Sequence, residues 1–167
     1  MKIVDLGASS SVINCFMAQL RDVNTQTNRT LFRGNLRRIA HAMAYEVSRT
    51  LDYSVKNIQT PLAVKEVPTY DDRIVVGTVL RAGLAFHEGF LDVFDGADAA
   101  FLSKGKPAKL HICCVIASRQ GIERLQNAFP GDDVTLWVAA IDPQLNDRAY
   151  IVPGLGDAGD LSFGEKQ

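Results

Sequence analysis

A glycine-rich stretch near the C-terminus holds the residues that are best suited to chemistry. Residues 150–160 have the sequence YIVPGLGDAGD, which contains three glycines and one proline. Glycines let the backbone approach a ligand closely and expose N–H and C=O groups that side chains would otherwise cover. Such a stretch can bind the edge of a planar, amide-like base through the main chain alone. The same composition is also typical of a surface turn, and the pattern by itself leaves both interpretations open.

Three charged side chains extend this candidate site. Asp157 and Asp160 supply carboxylates that can orient a hydroxyl, a water molecule or a bound Mg²⁺. Arg81 follows the apolar run 74–80, IVVGTVL, which has the pattern of a buried strand. Because ligands of open α/β sheets bind at the carboxyl ends of strands, Arg81 lies where it can contact a ligand. The alternative role for Arg81 is a structural salt bridge.

The elements that must position these residues alternate between strand and helix. The apolar runs 74–80, 110–117 and 134–140 are typical of strands that are covered on both faces in a parallel sheet. The first run leads through a glycine-containing turn into a predicted helix over 84–94. The second leads into a helix that Ser118 caps and that continues to about residue 128. Repeated strand–turn–helix units predict an α/β fold with a parallel sheet flanked by helices.

The N-terminal half adds two predicted helices and an edge ribbon. Helical spacing predicts one helix from Ser9 or Ser10 to residue 20 and a longer one over 28–51, whose Arg33, Arg37 and Arg38 we interpret as a solvated face. Residues 58–67 are predicted to be short extended pieces. His41, His87 with Glu88, His111 and Trp137 are not assigned to catalysis, and Trp137 is interpreted as a core residue.

Length, composition and charge limit the classes of protein that remain. With 167 residues, 47% hydrophobic and 22% charged, the chain matches one globular domain spanning 1–167. A formal net charge of −1 gives no bulk attraction to nucleic acid or to a membrane surface, and no apolar window reaches the length of a membrane span. The three cysteines have no metal-ligand spacing, and the adjacent Cys113 and Cys114 are interpreted as buried thiols. We therefore expect a reducing, cytoplasmic location.

The segment between Phe101 and Leu110 does not fit the predicted fold. Only LSKGKPAK separates these residues, although a parallel crossover normally needs a dozen or more residues and usually a helix. Leu102 to Gly105 also resembles the end of a helix whose body is absent. The pattern indicates that a segment is missing between Phe101 and Leu102; the alternative is a tight antiparallel hairpin.

Four strings resemble the uracil phosphoribosyltransferase family along nearly the entire chain. They are YIVPGLGDAGDLSFGEK at 150–166, VLRAGL at 79–84, VIAS at 115–118 and LWVAAID at 136–142. The resemblance implies the type I phosphoribosyltransferase fold, with the tail forming a hood over the base. It also implies the reaction of uracil with 5-phosphoribosyl 1-diphosphate (PRPP), which gives UMP and diphosphate, with Mg²⁺ on the donor.

Carried over by position, the resemblance assigns roles to five residues. Uracil contacts fall on Ile151, Gly156, Asp157 and Ala158, largely through backbone groups, and PRPP contacts fall on Arg81 and Asp157, which are the expected catalytic pair. No protein ligand to a metal is assigned. The family works as a dimer or larger assembly, so the resemblance implies a homo-oligomer, with no nucleic-acid or membrane partner. In the family, positioning and charge stabilisation do the work rather than a dedicated base.

The chain departs from the family pattern in its donor-binding segment. The family's Asp-Pro-Met-Leu-Ala-Thr-Gly-Gly-type loop is not found, and its place is the junction of Phe101 and Leu102. About fifty residues of the pattern are absent there, and with them the backbone N–H groups and helix N-terminus that hold a phosphate. Either the working polypeptide carries these residues, which we favour because their loss would expose a strand edge and apolar surface, or the deletion is real.

A real deletion would favour a different class of function. The alternative hypothesis is a non-catalytic protein that binds uracil or UMP, or an inactive partner subunit, on the same scaffold. A nucleic-acid regulator using a patch of Arg33, Arg37 and Arg38 fits the near-neutral charge less well.

Overall fold

The structure, a computed structural model, describes residues 1–100, 107–131 and 133–165. Its helices are α1 (Val12–Arg21), α2 (Arg29–Ser48), α3 (Leu84–Leu91), α4 (Arg119–Ala128) and α5 (Ala158–Phe163). Its strands are β1 (Lys2–Asp5), β2 (Tyr53–Gln59), β3 (Val64–Tyr70), β4 (Val75–Gly77), β5 (Asp98–Ala100), β6 (Leu110–Cys114), β7 (Ala117–Ser118), β8 (Val134–Val138), β9 (Ile141–Asp142), β10 (Gln144–Leu145) and β11 (Ile151–Val152).

Side-chain caps fix where four of the helices begin, and the cap of α5 is described with the C-terminal tail below. Ser118 caps α4 as predicted, since its Oγ accepts the Gly121 N–H at 3.0 Å. Asn28 caps α2 through the N–H of Leu31 at 3.1 Å. The cap of α1 is Ser11, so the helix begins one or two residues later than predicted. Asn14 Oδ1 accepts the Ser11 N–H, and this bond completes a capping box.

A three-stranded parallel sheet, with strand order β1-β8-β6, forms the centre of the α/β fold. The sequence did not predict β1, a strand of four residues that pairs in parallel with β8. Strands β4 and β5 form a separate parallel pair, and β2 and β3 form an antiparallel hairpin whose residues are mostly exposed. The two remaining pairs are short: β7 pairs with β9, and β10 pairs with β11.

The prediction of a long buried strand over 74–80 is wrong in length and in burial. Only Val75–Gly77 is a strand, and Val79 and Leu80 are 84% and 58% exposed. The physical reason is the number of neighbouring strands with which each strand pairs. Strand β8 pairs on both sides and is almost wholly buried, whereas β4 and β6 each have one paired neighbour among the described strands and are less buried.

The alternative of a tight antiparallel hairpin between Phe101 and Leu110 falls largely on residues 101–106, which lie outside the described residues. Strand β5 pairs in parallel with β4, and β6 pairs in parallel with β8, so these two consecutive strands belong to different sheets. The junction of Phe101 and Leu102 itself lies outside the described residues.

The core lies between the helices and the parallel strands. Buried side chains of α1, α2 and α3 pack with Trp137 of β8, which is 4% exposed, so its interpretation as a core residue is confirmed. Each large apolar side chain that is fully buried contributes about 1.5–3 kcal/mol. Helices α2 and α3 come so close that a Cβ on Gly89 would lie 2.6 Å from the Cβ of Ala40. In the described parts of the chain, no helix is long and apolar enough to cross a membrane.

The basic face of α2 is exposed at Arg37 and Arg38, as predicted, and it also makes contacts within the molecule. Arg37 Nε lies 2.9 Å from Asp92 Oδ2, an oxygen that His41 Nε2 also approaches at 2.9 Å. Hydrogen bonding to His41, with the charge of Arg37, lowers the pKa of Asp92. These contacts join α2 to the residue that follows α3, and Arg33 reaches the C-terminal tail described below.

Candidate active site

The C-terminal tail, residues 150–165, begins as a strand and turns twice at glycines. Ile151 pairs with Leu145 in the antiparallel β10–β11 ladder, which anchors the start of the tail. Gly154 and Gly156 have φ values of +62° and +85°, in the left-handed region that favours glycine. A Cβ on Gly154 would collide with the carbonyl oxygen of Ile151. The tail therefore needs glycine at position 154 in order to fold back past Ile151.

Asp157 ends this turn and starts α5. Its Oδ1 accepts the N–H groups of Gly159 at 2.9 Å and Asp160 at 3.0 Å, the geometry of a helix N-cap. Gly156 is exposed, while Ile151, Asp157 and Ala158 are half-buried. The four residues that the resemblance assigned to uracil thus lie between β11 and the first residue of α5.

Arg81 contacts this tail directly. Its Nη2 lies 2.5 Å from Asp160 Oδ1, and its Nη1 donates to the Gly164 carbonyl at 2.8 Å. A Cβ built on Gly159 would lie 3.1 Å from Asp157 Oδ1 and 3.4 Å from Arg81 Nη2. The structure therefore brings Arg81 and Asp157 to the same glycine, although they are far apart in sequence.

The salt-bridge alternative for Arg81 describes part of what the structure contains. The ion pair with Asp160 exists, but the side chains of Arg81 and Asp160 keep 34% and 32% of their surface exposed. A ligand anion can therefore still reach the guanidinium, and a donor role for Arg81 stays a prediction. Arg33 of α2 also binds the tail, since its Nη1 donates to the Ser162 carbonyl at 2.6 Å.

Sequence reasoning missed a second arginine, Arg21, which holds the other end of the turn. Arg21, the last residue of α1, makes a two-pronged ion pair with Asp142, with Nη1–Oδ2 and Nη2–Oδ1 distances of 2.8 and 2.7 Å. Arg21 Nη1 also donates to the Gly154 carbonyl at 2.8 Å, and Asp142 Oδ2 accepts the Gly154 N–H at 2.7 Å. Hydrogen bonding to Arg21, aided by the Gly154 N–H, lowers the pKa of Asp142. We call Arg21, Asp142 and Gly154 the Arg21 clamp.

Gln26 supports the next residue of the turn. With its amide oriented so that the nitrogen faces the tail, Gln26 donates to the Leu155 carbonyl at 3.0 Å and to the Leu20 carbonyl at 3.1 Å. No local sequence signal identifies Arg21 or Gln26, because each contacts the tail only through the folded chain.

A pocket of about 350 Å³ lies between the tail and the start of α2. Gly156, Asp157 and Asp160 line one side of it, and Gln26 and Arg29 are among the residues that line the other. Its size is within the range of small-molecule sites. Ile151 and Ala158 are not among its lining residues, so the predicted uracil contacts are only partly gathered in this pocket.

The histidines have other surroundings. His87 is 5% exposed, and Glu88 beside it pairs with Arg37 at 3.4 Å. His111 Nδ1 accepts the Trp137 Nε1–H at 3.0 Å, and burial lowers the pKa of His111. Trp137 Nε1 is a donor, so His111 Nδ1 carries no proton in this arrangement.

The described residues do not form a metal centre by themselves. Residues 1–100, 107–131 and 133–165 contain no group of three or more His, Cys, Asp or Glu side chains placed to hold an ion. Asp157 and Asp160, the carboxylates nearest to Arg81, already cap a helix and pair with an arginine. Mg²⁺ commonly binds in proteins through one or two carboxylates together with substrate phosphates.

Comparison with known proteins places this fold and its tail in one family. The model of the family described as uracil phosphoribosyltransferase matches residues 8–104 and 99–165. A uracil phosphoribosyltransferase of Porphyromonas gingivalis is 36% identical over 216 aligned positions, which cover 99% of this chain and all of that protein. One of Pyrococcus furiosus is 32% identical over 200 positions, covering 89% of this chain and 84% of that protein.

A solved structure supports the fold. The AQ2163 protein from Aquifex aeolicus superposes with a TM-score of 0.81 at 22% identity, covering 97% of this chain and 98% of that one. The Porphyromonas gingivalis alignment spans 216 positions and this chain has 167 residues, so about fifty positions of that relative have no counterpart here. From the matches across nearly its whole length, together with the parallel sheet flanked by helices, we conclude that the chain belongs to the uracil phosphoribosyltransferase family.

Proposed function

We propose that this enzyme transfers the phosphoribosyl group of PRPP to uracil and forms UMP and diphosphate in pyrimidine salvage. The observation that carries the proposal is the contact between Arg81 and the C-terminal tail, with Nη2 of Arg81 2.5 Å from Asp160 Oδ1. It puts a cation that can bind a diphosphate beside a glycine-rich backbone that can bind a base. The names of the Porphyromonas gingivalis and Pyrococcus furiosus relatives support the same reaction.

In this proposal uracil is recognised mainly by the main chain. The tail offers backbone groups at Ile151, Gly156 and Ala158 along a turn that its glycines allow. A pyrimidine edge presents alternating donors and acceptors, which N–H and C=O groups complement in a fixed geometry. A site of this kind rejects analogues that lack one of these polar groups, because its own group would then be left unpaired.

Arg81 and Asp157 form the donor side of the proposed site. As the bond between uracil N1 and C1′ forms, the bond between C1′ and the diphosphate oxygen breaks, and the N1 proton is released to solvent. Arg81 stabilises the negative charge that develops on the departing diphosphate. Asp157 lies beside the same glycine as Arg81, which supports a role for its carboxylate in orienting the ribose. Positioning and charge stabilisation suffice in this scheme without a dedicated base.

We further propose that Mg²⁺ takes part as a component of the donor substrate. The carboxylates of the described tail do not gather into an ion site of their own, and Mg²⁺ binds readily to phosphate oxygens. The chemistry that the ion supplies is partial neutralisation of the diphosphate charge.

The absent segment sets an expectation for affinity. About fifty positions of the Porphyromonas gingivalis relative have no counterpart among the 167 residues of this chain, and the donor loop of the family pattern is among the strings not found. Without the backbone N–H groups of that loop, the 5′-phosphate loses its main anion site. We therefore expect weak binding of PRPP and better preserved binding of uracil.

The same observation favours a second candidate function, a protein that binds uracil or UMP without catalysis. Calorimetry with uracil and with PRPP, followed by an assay for UMP, separates the two. Formation of UMP supports the enzyme, whereas binding of uracil without binding of PRPP or turnover supports the second candidate. Absence of any uracil binding would contradict both.

Two further properties belong to the proposal. A cytoplasmic location is supported by the thiols of Cys113 and Cys114, whose pKa values are raised by burial and which form no disulfide. A homo-oligomer is supported by the β2–β3 hairpin, which exposes 66% of Val55 and 97% of Leu62. Sedimentation of the purified protein as a monomer at micromolar concentration would contradict the second property.

A further inference from the structure

We propose that Arg21, acting through Asp142, is a positioning residue that sets the conformation of the main chain that binds uracil. This inference rests on the proposed function, because it concerns how the same base site is held in shape. It assigns a role to a residue of the first helix, far in sequence from the tail.

The contacts of the Arg21 clamp hold Gly154 on both of its backbone polar groups. Arg21 and Asp142 together take both backbone polar groups of Gly154: the carbonyl accepts from Arg21 Nη1 at 2.8 Å, and the N–H donates to Asp142 Oδ2 at 2.7 Å. The two side chains also bind each other at 2.7 and 2.8 Å, so neither can rotate without breaking several bonds at once. The peptide groups on both sides of Gly154 are therefore fixed in orientation.

The position of Gly154 in the tail gives this fixation its significance. Gly154 lies between Ile151 and Gly156, two of the predicted uracil contacts, and has a left-handed φ of +62°. Glycine has the widest range of backbone conformations, so a glycine at this place needs external contacts to hold a single conformation. With its amide nitrogen facing the tail, Gln26 also donates to the next carbonyl, that of Leu155, at 3.0 Å. The clamp thus determines where the exposed Gly156 presents its backbone groups.

Burial explains why an ion pair is effective here. The side chain of Asp142 is 7% exposed and that of Arg21 is 26% exposed, so water screens their interaction only partly. The guanidinium provides a planar fork that matches the carboxylate and leaves an N–H for the Gly154 carbonyl. Lysine keeps the charge but lacks this fork, which makes Arg21→Lys a sharper variant than a truncation.

The test measures uracil binding and PRPP binding by calorimetry in the wild type, Arg21→Lys and Arg21→Ala. Uracil affinity is expected to fall at least 3-fold in Arg21→Lys and at least 10-fold in Arg21→Ala, while PRPP affinity stays within 2-fold. Arg49→Ala is the matched control, because Arg49 follows the end of α2, is exposed and has Glu46 as its only ion-pair partner among the described residues, and this variant is expected to bind uracil like the wild type. Uracil affinity within 2-fold of the wild type in a folded Arg21→Lys variant would overturn the inference.

A measurement without ligand keeps the inference separate from the proposed function. Hydrogen exchange of the Gly154 amide, which donates to Asp142 Oδ2, is followed by NMR and is expected to speed up at least 10-fold in Arg21→Lys and not in Arg49→Ala. Unchanged exchange at this amide would overturn the positioning role even if the wild type failed to bind uracil. If Arg21→Ala does not fold, Arg21→Lys and Asp142→Asn carry the test through the same two measurements.

Discussion

Arg81 Nη2 and Asp160 Oδ1 lie 2.5 Å apart, and this ion pair ties the turn after β4 to the first turn of α5. A diphosphate that binds Arg81 must share the guanidinium with Asp160 or displace it. Donor binding and the position of the tail are therefore coupled through one side chain.

Replacing Arg81 is expected to weaken donor use more than uracil binding. A charge-assisted hydrogen bond contributes about 1.5–3 kcal/mol, so the KM for PRPP in Arg81→Ala should rise roughly 10- to 100-fold. Steady-state kinetics with varied PRPP, together with calorimetry for uracil, checks this. The control is Asp160→Asn, which removes the same ion pair but keeps Arg81. Because a partly exposed pair contributes about 0–1 kcal/mol, its KM for PRPP should change less than about 5-fold. An unchanged KM in Arg81→Ala would remove Arg81 from the donor site.

Gly154→Ala is expected to destabilise the tail and to reduce uracil affinity at least 10-fold. The left-handed backbone costs a non-glycine residue about 1–2 kcal/mol, and the new Cβ would also collide with the Ile151 carbonyl oxygen. Thermal unfolding and uracil calorimetry measure the two effects. Gly96→Ala is the matched control, since a Cβ there meets nothing within 4 Å. Equal behaviour of the two variants would show that the turn at Gly154 does not shape the base site.

Some of this architecture follows from local sequence signals. Ser118 and Asn28 cap helices where a polar side chain precedes an apolar period, and that information is contained within a few residues. Trp137 was assigned to the core for the same kind of reason, an apolar run with a strand pattern. Such features depend on neighbours in sequence, and sequence therefore predicts them well.

Other parts depend on contacts that no local pattern encodes. Arg21 and Asp142 are 121 residues apart, and only the tertiary fold brings them together. The exposure of Val79 and Leu80 was mispredicted because the apolar run presupposes a neighbouring strand on each side. An apolar pattern indicates that a strand needs to be buried. The number of strands that pair with it in the fold decides whether it is buried.

The cysteines offer a chemical check on the packing of β6. Burial raises the pKa of Cys113 to about 12, with a further contribution from Cys114, whose own pKa burial also raises. Both thiols therefore stay protonated at pH 8, and the thiolate is the form that reacts. Iodoacetamide applied to the native protein should alkylate the exposed Cys15 at least 10-fold faster than Cys113 or Cys114, as followed by peptide mass spectrometry. Equal rates at all three positions would contradict the packing of β6.

Restoring the absent segment should complete the sheet. Insertion between Phe101 and Leu102 of the roughly fifty positions of the Porphyromonas gingivalis relative that this chain lacks is expected to raise the Tm and to lower the KM for PRPP. The reason is that a further strand would cover apolar surface on β4 and β6, and the donor loop would supply a phosphate site. A glycine-serine insertion of the same length is the control and should do neither. If both insertions had the same effect on the Tm and the KM, the absence of a strand beside β4 and β6 would not explain these properties.

In the proposed site, backbone groups between Ile151 and Ala158 bind the edge of uracil. Titration of uracil into ¹⁵N-labelled protein tests this, because each amide reports on its own surroundings. We predict saturable shifts of the Gly156 and Ala158 amides, with little change at Gly121 on α4. Uracil binding that leaves the tail amides unchanged and shifts amides elsewhere would contradict this prediction.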